Sequence, residues 1–229
     1  KQLFLYSLMK IVAIANARLS SKRLHHKMIK KFSNTCLVEI ALKRLTKVKN
    51  FDKVYFAACE KKLLEYAKKY LSDESIIVRS KESVAIDGPI TKIHHYLRDI
   101  DTEYFMWINC CHSMLKPKTI DNAVKFFLDN KLKSMTSVIK KNTFYYNHKS
   151  KPMNCKNPLL QINTKTLRNV YECVHAFHIV NKNHFFKTKS YWKNKKNDPY
   201  LYEINPIEAL DVDTADDFII SSAVYNYYN

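Results

Sequence analysis

The order of apolar runs and amphipathic segments predicts an α/β fold, a mostly parallel sheet with helices on both faces. Two patterns carry this prediction. Short runs that are apolar without interruption, such as Ile11-Val12-Ala13-Ile14-Ala15, read as strands buried on both sides. Between them lie stretches with apolar residues at helical spacing, such as residues 35–45. At 229 residues, 46% of them hydrophobic, the chain suits one large domain with a sizeable core.

The first strand is expected at residues 10–15 and the first helix at 35–45, with Thr35 in the capping position. A second buried strand spans 53–58. An amphipathic helix follows at 60–70, with Leu63, Leu64 and Ala67 on one face. A short strand at 75–78 leads into Arg79. Residues 89–97 read as a helix and 102–108 as a strand. Pro117 opens a helix at N1 that runs to about 130. Residues 134–139 complete the alternating part. After Lys140 the pattern changes. Residues 142–158 are rich in Lys, Asn and Tyr and contain Pro152 and Pro158, which suggests an irregular arm or hairpin. Residues 174–180 read as a strand, 193–197 as a solvated lysine-rich loop, and a helix is expected from near Thr214. The whole chain, 1–229, is read as one domain. Residues 140–185 form an insertion within it, and 1–8 read as an upstream extension before Met9.

The net charge of +18 invites a nucleic-acid reading. The composition weighs against it. Of 39 basic residues 33 are Lys and six are Arg, whereas base recognition favours Arg. Gly88 is the only glycine, where average usage predicts roughly 16. Such usage fits an AT-rich genome, so nucleic acid is not the expected partner. The charge still attracts small anions. The cysteines, Cys36, Cys59, Cys110, Cys111, Cys155 and Cys173, form no C-x-x-C pair and read as reduced thiols of a cytoplasmic protein, not as a zinc site. No run approaches the ~20 apolar residues that span a membrane.

Two segments carry chemistry. The first strand runs into Ala17-Arg18-Leu19-Ser20-Ser21-Lys22-Arg23-Leu24-His25-His26-Lys27. A basic, serine-containing loop at the carboxyl end of a buried strand suits polyphosphate binding, because such ends are where open α/β sheets take ligands. Near the C-terminus, Asp211 and Asp213 lie two apart, so in an extended segment they share a face and can hold Mg²⁺ through oxygen ligands. The alternative is that Asp211, Asp213 and Asp216 cap the helix near Thr214.

The basic loop resembles the A-R-x-x-S-K-R-L-P-x-K opening of the cytidylyltransferases that make CMP-activated acidic sugars, such as the CMP-sialic acid synthetases. Ala17, Arg18, Ser21, Lys22, Arg23, Leu24 and Lys27 match it. Residues 210–218, Leu-Asp-Val-Asp-Thr-Ala-Asp-Asp-Phe, resemble the family's I-D-I-D-T-x-x-D-F. Weaker matches are residues 79–87, against R-P-x-E-L-[AS]-x-D, and residues 107–115, where the family has a strand and then a Q/N-P-x-x-P loop. The resemblance implies a three-layer Rossmann-like nucleotidyltransferase fold with a dimerisation arm. It implies transfer of CMP from CTP to the anomeric hydroxyl of a nine-carbon acidic sugar, with Mg²⁺ as cofactor and a homodimer as assembly. On this reading Arg18, Lys27, Asp211 and Asp213 are catalytic, and Asp211 and Asp213 are the metal ligands. Ala17, Arg18, Ser21, Lys22, Lys27, Ala85 and Asn109 bind nucleotide. Asn109 is equally a turn residue. His112 is a candidate substrate contact, and Arg168 is either the partner of the sugar carboxylate or a surface residue. No general base is apparent.

The chain departs from the pattern at several places. His25 and His26 replace a proline and a small residue, Cys110 and Ser113 replace prolines, Leu115 stands for an Arg, and His175 sits where relatives often have Gly. Residues 57–60 lack the family's acidic pair. These changes spare the phosphate and metal residues. They leave two alternatives open, a catalytically degenerate nucleotide- or polyanion-binding protein on the same fold and a nonspecific nucleic-acid binder.

Overall fold

A computed structural model describes residues 10–84, 89–155 and 163–228. Among these, β1 (Ile11–Asn16), β2 (Lys53–Ala58), β3 (Ile76–Val78), β4 (Tyr104–Asn109), β5 (Ser134–Lys141), β6 (Val170–Asn181) and β7 (Tyr200–Glu203) form one sheet in the order β3-β2-β1-β4-β6-β5-β7. β6 runs antiparallel to both its neighbours, and the other pairings are parallel.

Strand alternation sorts the core into two layers. Ile11, Ala13 and Ala15 of β1 face one side with Phe56, Met106 and Ile108. There they meet α1 (Leu37–Leu45), α2 (Lys61–Lys68), α5 (Pro117–Asp129) and α7 (Ala215–Tyr228) through Leu42, Leu63, Phe127 and Phe218. Val12 and Ile14 face the other side with Ala57, Phe105 and Val180, where Tyr96, Leu97 and Phe185 cover them. Phe185 comes from α6 (Lys182–Thr188). Burial on both faces is why Ile11 to Ala15 of β1 are all apolar.

The predicted elements recur with three corrections. The expected helix over 89–97 is broken into α4 (Ile90–Ile93) and a 3₁₀ turn, His95–Arg98. His94 sits between them at φ −111°, ψ 29°, because its buried ring is held by the hydroxyls of Tyr96 and Tyr191, 3.0 and 2.7 Å away. Thr35 does not cap α1. Cys36 is the N-cap, and the Thr35 hydroxyl instead donates to Glu39 at 2.7 Å. The third correction is β7, an additional parallel strand beside β5. The arm folds back on itself through a bridge between Tyr146 and Pro152, and Asn154 ties it to the backbone of Thr143 and Arg168. The loop at 193–197 is exposed throughout, as expected.

Candidate active site

The chain order reverses at β1. From there β2 and β3 build outward on one side and β4 pairs on the other, so the carboxyl ends of β1 and β4 flank a topological switch point, the usual ligand crevice of such sheets. A cleft of about 740 Å³ opens there. Asn16, Ala17 and Arg18 enter it from β1, and Asn109 and Cys111 from the end of β4. Ser21, Lys22, Arg23 and Lys27 come from the basic loop, and Asp211 and Asp213 from the segment before α7.

The loop is anchored at several points. Ala17 N–H donates to the Ala57 carbonyl at 3.1 Å, and Leu19 N–H donates to Glu60 Oε1 at 2.7 Å. Glu60 thus does work that the motif comparison did not assign. Arg18 donates to the Val84 carbonyl at 3.2 Å, joining the loop to α3 (Lys81–Val84). Ser21 Oγ accepts from Leu24 N–H at 3.3 Å and keeps its own hydroxyl proton for a ligand. The turn expected to need a small residue is made by His26 at φ 54°, whose carbonyl accepts from Ile29 and Lys30. A bulky residue in this left-handed region costs roughly 1–2 kcal/mol but does not prevent the turn.

Asp213 closes the opposite side. Its carboxylate takes Lys27 Nζ at 2.9 Å and Arg23 at 2.7 Å. Burial opposes the charge on Lys27, but Cys111 and Asp213 hold its pKa above the ordinary lysine value. Asp211 is pushed up to about 6 by burial and by the neighbouring Asp213 charge, and its Oδ1 has no hydrogen-bond partner. The capping role open in the sequence falls elsewhere. Asp217 accepts from Thr214 N–H and hydroxyl, both at 2.8 Å, and Thr214 Oγ1 accepts from Asp217 N–H at 3.2 Å. That reciprocal cap leaves the side chains of Asp211 and Asp213 to the cleft.

A buried carboxylate oxygen with no partner, beside a second carboxylate, fits a hard cation held by oxygen. Among the described residues no group of three His, Cys, Asp or Glu forms a complete metal cage. Mg²⁺ suits such a partial site, because it keeps phosphate and water among its ligands.

The remaining predicted residues fall in different places. Asn109 lines the cleft and also serves the turn, its Oδ1 accepting from Cys111 N–H at 3.0 Å. His112 is fully buried and lies outside the cleft lining, with Nδ1 3.8 Å from Asp211 Oδ1. Burial and then Arg44 lower its pKa to about 3, so it stands behind Asp211 as a neutral ring. Arg44 holds this loop by donating to the Asn109 and His112 carbonyls. Arg168 is exposed beside the arm and is not among the cleft-lining residues. Ala85 lies outside the described residues. The rest of the cleft wall combines Arg79, Trp107 and His175, which stand in or at segments compared with the family, with His94, His178 and Tyr191, which no motif covers.

The family profile described as cytidylyltransferase matches residues 12–218. The chain belongs to the cytidylyltransferase family. The chain shares its α/β nucleotidyltransferase fold with a CMP:2-keto-3-deoxy-manno-octonic acid synthetase solved with CTP. The TM-score is 0.69 at 11% identity, over 96% of this chain and 100% of that one. A 4-diphosphocytidyl-2C-methyl-D-erythritol synthase from Anaerococcus prevotii gives 0.66 at 12% identity, over 95% and 96%. A cytidylyltransferase from Leptospira borgpetersenii gives 0.64 at 17% identity, over 96% and 88%. An uncharacterised protein of Methanocaldococcus jannaschii is 44% identical over 54 residues, which are 24% of this chain and 22% of that protein's length.

Proposed function

We propose that the protein transfers CMP from CTP to the anomeric hydroxyl of a 2-keto acid sugar, a sialic acid or related nonulosonic acid, and releases pyrophosphate. One observation carries the reading. The cationic loop after β1 and the carboxylates of Asp211 and Asp213 line the same cleft at the switch point of the sheet.

Arg18, Lys22 and Lys27 bind and neutralise the triphosphate, with the Ser21 hydroxyl on a phosphate oxygen. Lys27 is already fixed by Asp213 and the Val212 carbonyl at 2.7 Å, so its ammonium is ordered before nucleotide arrives. Asp211 and Asp213 would hold Mg²⁺, which when bound polarises phosphoryl oxygen and orients the acceptor hydroxyl. Holding nucleotide and sugar in one cleft supplies alignment, a main need of phosphoryl-type transfer. Asn109 contacts the nucleotide. The working form is a homodimer, with the arm that follows Lys140 at the contact.

The test is pyrophosphate release on mixing the protein with CTP, Mg²⁺ and a panel of acidic sugars. The panel includes the eight-carbon 2-keto acid named for the solved synthetase. Release with at least one acidic sugar, and none with neutral hexoses, is expected. No product with any sugar, together with no heat of CTP binding, would contradict the reading.

A further inference from the structure

We infer that His175 takes the proton from the acceptor hydroxyl as that oxygen attacks the α-phosphate, an inference that rests on the transfer reaction proposed above. His175 lies on β6 where the register against β5 shifts between Thr136 and Val138. This bulge is a built feature. The hydroxyl oxygen of Ser137 accepts from the backbone N–H groups of Ala176 and Phe177 at 2.9 and 3.1 Å. His175 itself takes φ 53°, in the left-handed region. Bulges re-aim side chains beside active sites, and His175 is part of the cleft wall.

Behind it runs a chain of polar groups. His175 Nδ1 lies 3.0 Å from His178 Nε2, His178 Nδ1 lies 2.8 Å from Thr136 Oγ1, and Thr136 Oγ1 lies 3.2 Å from Cys173 Sγ. His178 is buried, with Trp107 stacked on it at 5.2 Å and Tyr191 packed at 4.8 Å. Burial, then the nearby His175, His94 and His112, hold it neutral, so it carries one ring proton. With that proton on Nδ1 and donated to Thr136, the Thr136 hydroxyl donates to Cys173. His178 Nε2 then accepts the Nδ1–H of His175, which leaves His175 Nε2 with a lone pair. The charged and titratable groups around His175 are Cys173 and His178 on its own strand, His112 from the loop after β4, and Asp211 from the loop before α7. The contact with Cys173 raises its pKa most, burial opposes this, and Asp211 adds to the rise.

In the step, the acceptor O–H gives its proton to His175 Nε2 and its oxygen bonds to the α-phosphorus. The bond from that phosphorus to the bridging oxygen breaks, and its electron pair leaves with pyrophosphate. The imidazolium returns the proton to water after product release. His175 is the catalytic base, and His178 is the positioning residue.

The test compares wild type, His175→Gly and Cys173→Ala, with CTP, Mg²⁺ and the acidic-sugar panel, and with water alone as acceptor. Glycine accommodates φ 53° without strain, so the fold should persist, and thermal unfolding checks that it does. His175→Gly should lower kcat about 100-fold with KM for CTP unchanged, and added imidazole should restore part of the rate. The wild-type rate should fall at acid pH, and Cys173→Ala should move that limb to lower pH. A His175→Gly rate within twofold of wild type would overturn the assignment and leave the transfer reaction standing. So would a loss that imidazole does not restore. Wild type that binds CTP but never cleaves it overturns the assignment and the reaction together. Wild type that fails to bind CTP removes the parent reading itself.

Discussion

Asp211 is the cleft carboxyl on which the proposed chemistry rests most heavily. Burial and Asp213 push its pKa up to about 6, and Oδ1 finds no hydrogen-bond donor. An oxygen left in that condition costs stability, and a bound cation relieves the cost. Asp211→Asn is therefore expected to lower kcat at least 100-fold while leaving the unfolding temperature equal or higher, since it removes charge repulsion with Asp213. Pyrophosphate release and a thermal melt measure both, and an unchanged rate would move the metal role elsewhere. At this scale the sequence was most readable where cleft residues stand in a contiguous motif. Arg18, Ser21, Lys22, Lys27, Asp211 and Asp213 each stand in a short run whose spacing carries meaning, and all six line the cleft. His94, Trp107, His178 and Tyr191 were not readable as a site. They come from separate parts of the chain and meet only across the second face of the sheet.

Helix ends show how local rules survive an unusual composition. At the C-terminus of α5, Lys131 takes φ 50°. Its N–H donates to the Leu128 carbonyl at 3.1 Å, and Leu132 N–H donates to that of Phe127 at 3.2 Å. This is a Schellman cap built on lysine where glycine is the usual choice. Lys131→Gly should stabilise the protein by about 1 kcal/mol, raising the melting temperature by roughly 2–4 °C. A lower melting temperature would show that the lysine side chain contributes more than its backbone costs. The strands β1, β2 and β4 were legible because a layer on each face keeps their central positions apolar, and β5 because Met135, Val138 and Ile139 are buried in it. β7, Tyr-Leu-Tyr-Glu, was hidden by its length and its exposed Leu201 and Glu203. The break at His94 was hidden because its cause, the Tyr191 hydroxyl, lies 97 residues away in sequence.

Across the whole molecule, buried neutral histidines set the response to acid. Burial, then Arg79, lowers His94 to about 3, and His178 is lowered well below its usual value. An unfolded histidine titrates near 6.5. Between that value and the folded pKa the unfolded chain binds more protons, so stability is full above pH 6.5 and is lost as pH falls below it. Each such histidine contributes a slope of up to about 1.4 kcal/mol per pH unit. The urea midpoint should fall clearly between pH 7.5 and pH 5, and a flat midpoint would contradict the neutral assignment. The fold also has a second concavity, about 480 Å³, bordered by Lys131, Lys133, Lys193, Lys195 and Lys196 at the other end of β5 and β7. The +18 charge alone does not say which basic region takes nucleotide. A crystal soaked with CTP and Mn²⁺, read by anomalous scattering, decides it directly. The expected result is one metal peak bridging Asp211 and Asp213, with the triphosphate along Arg18, Ser21, Lys22 and Lys27. Nucleotide in the lysine-rich concavity, or in the cleft with no metal on the two aspartates, would contradict the proposed chemistry.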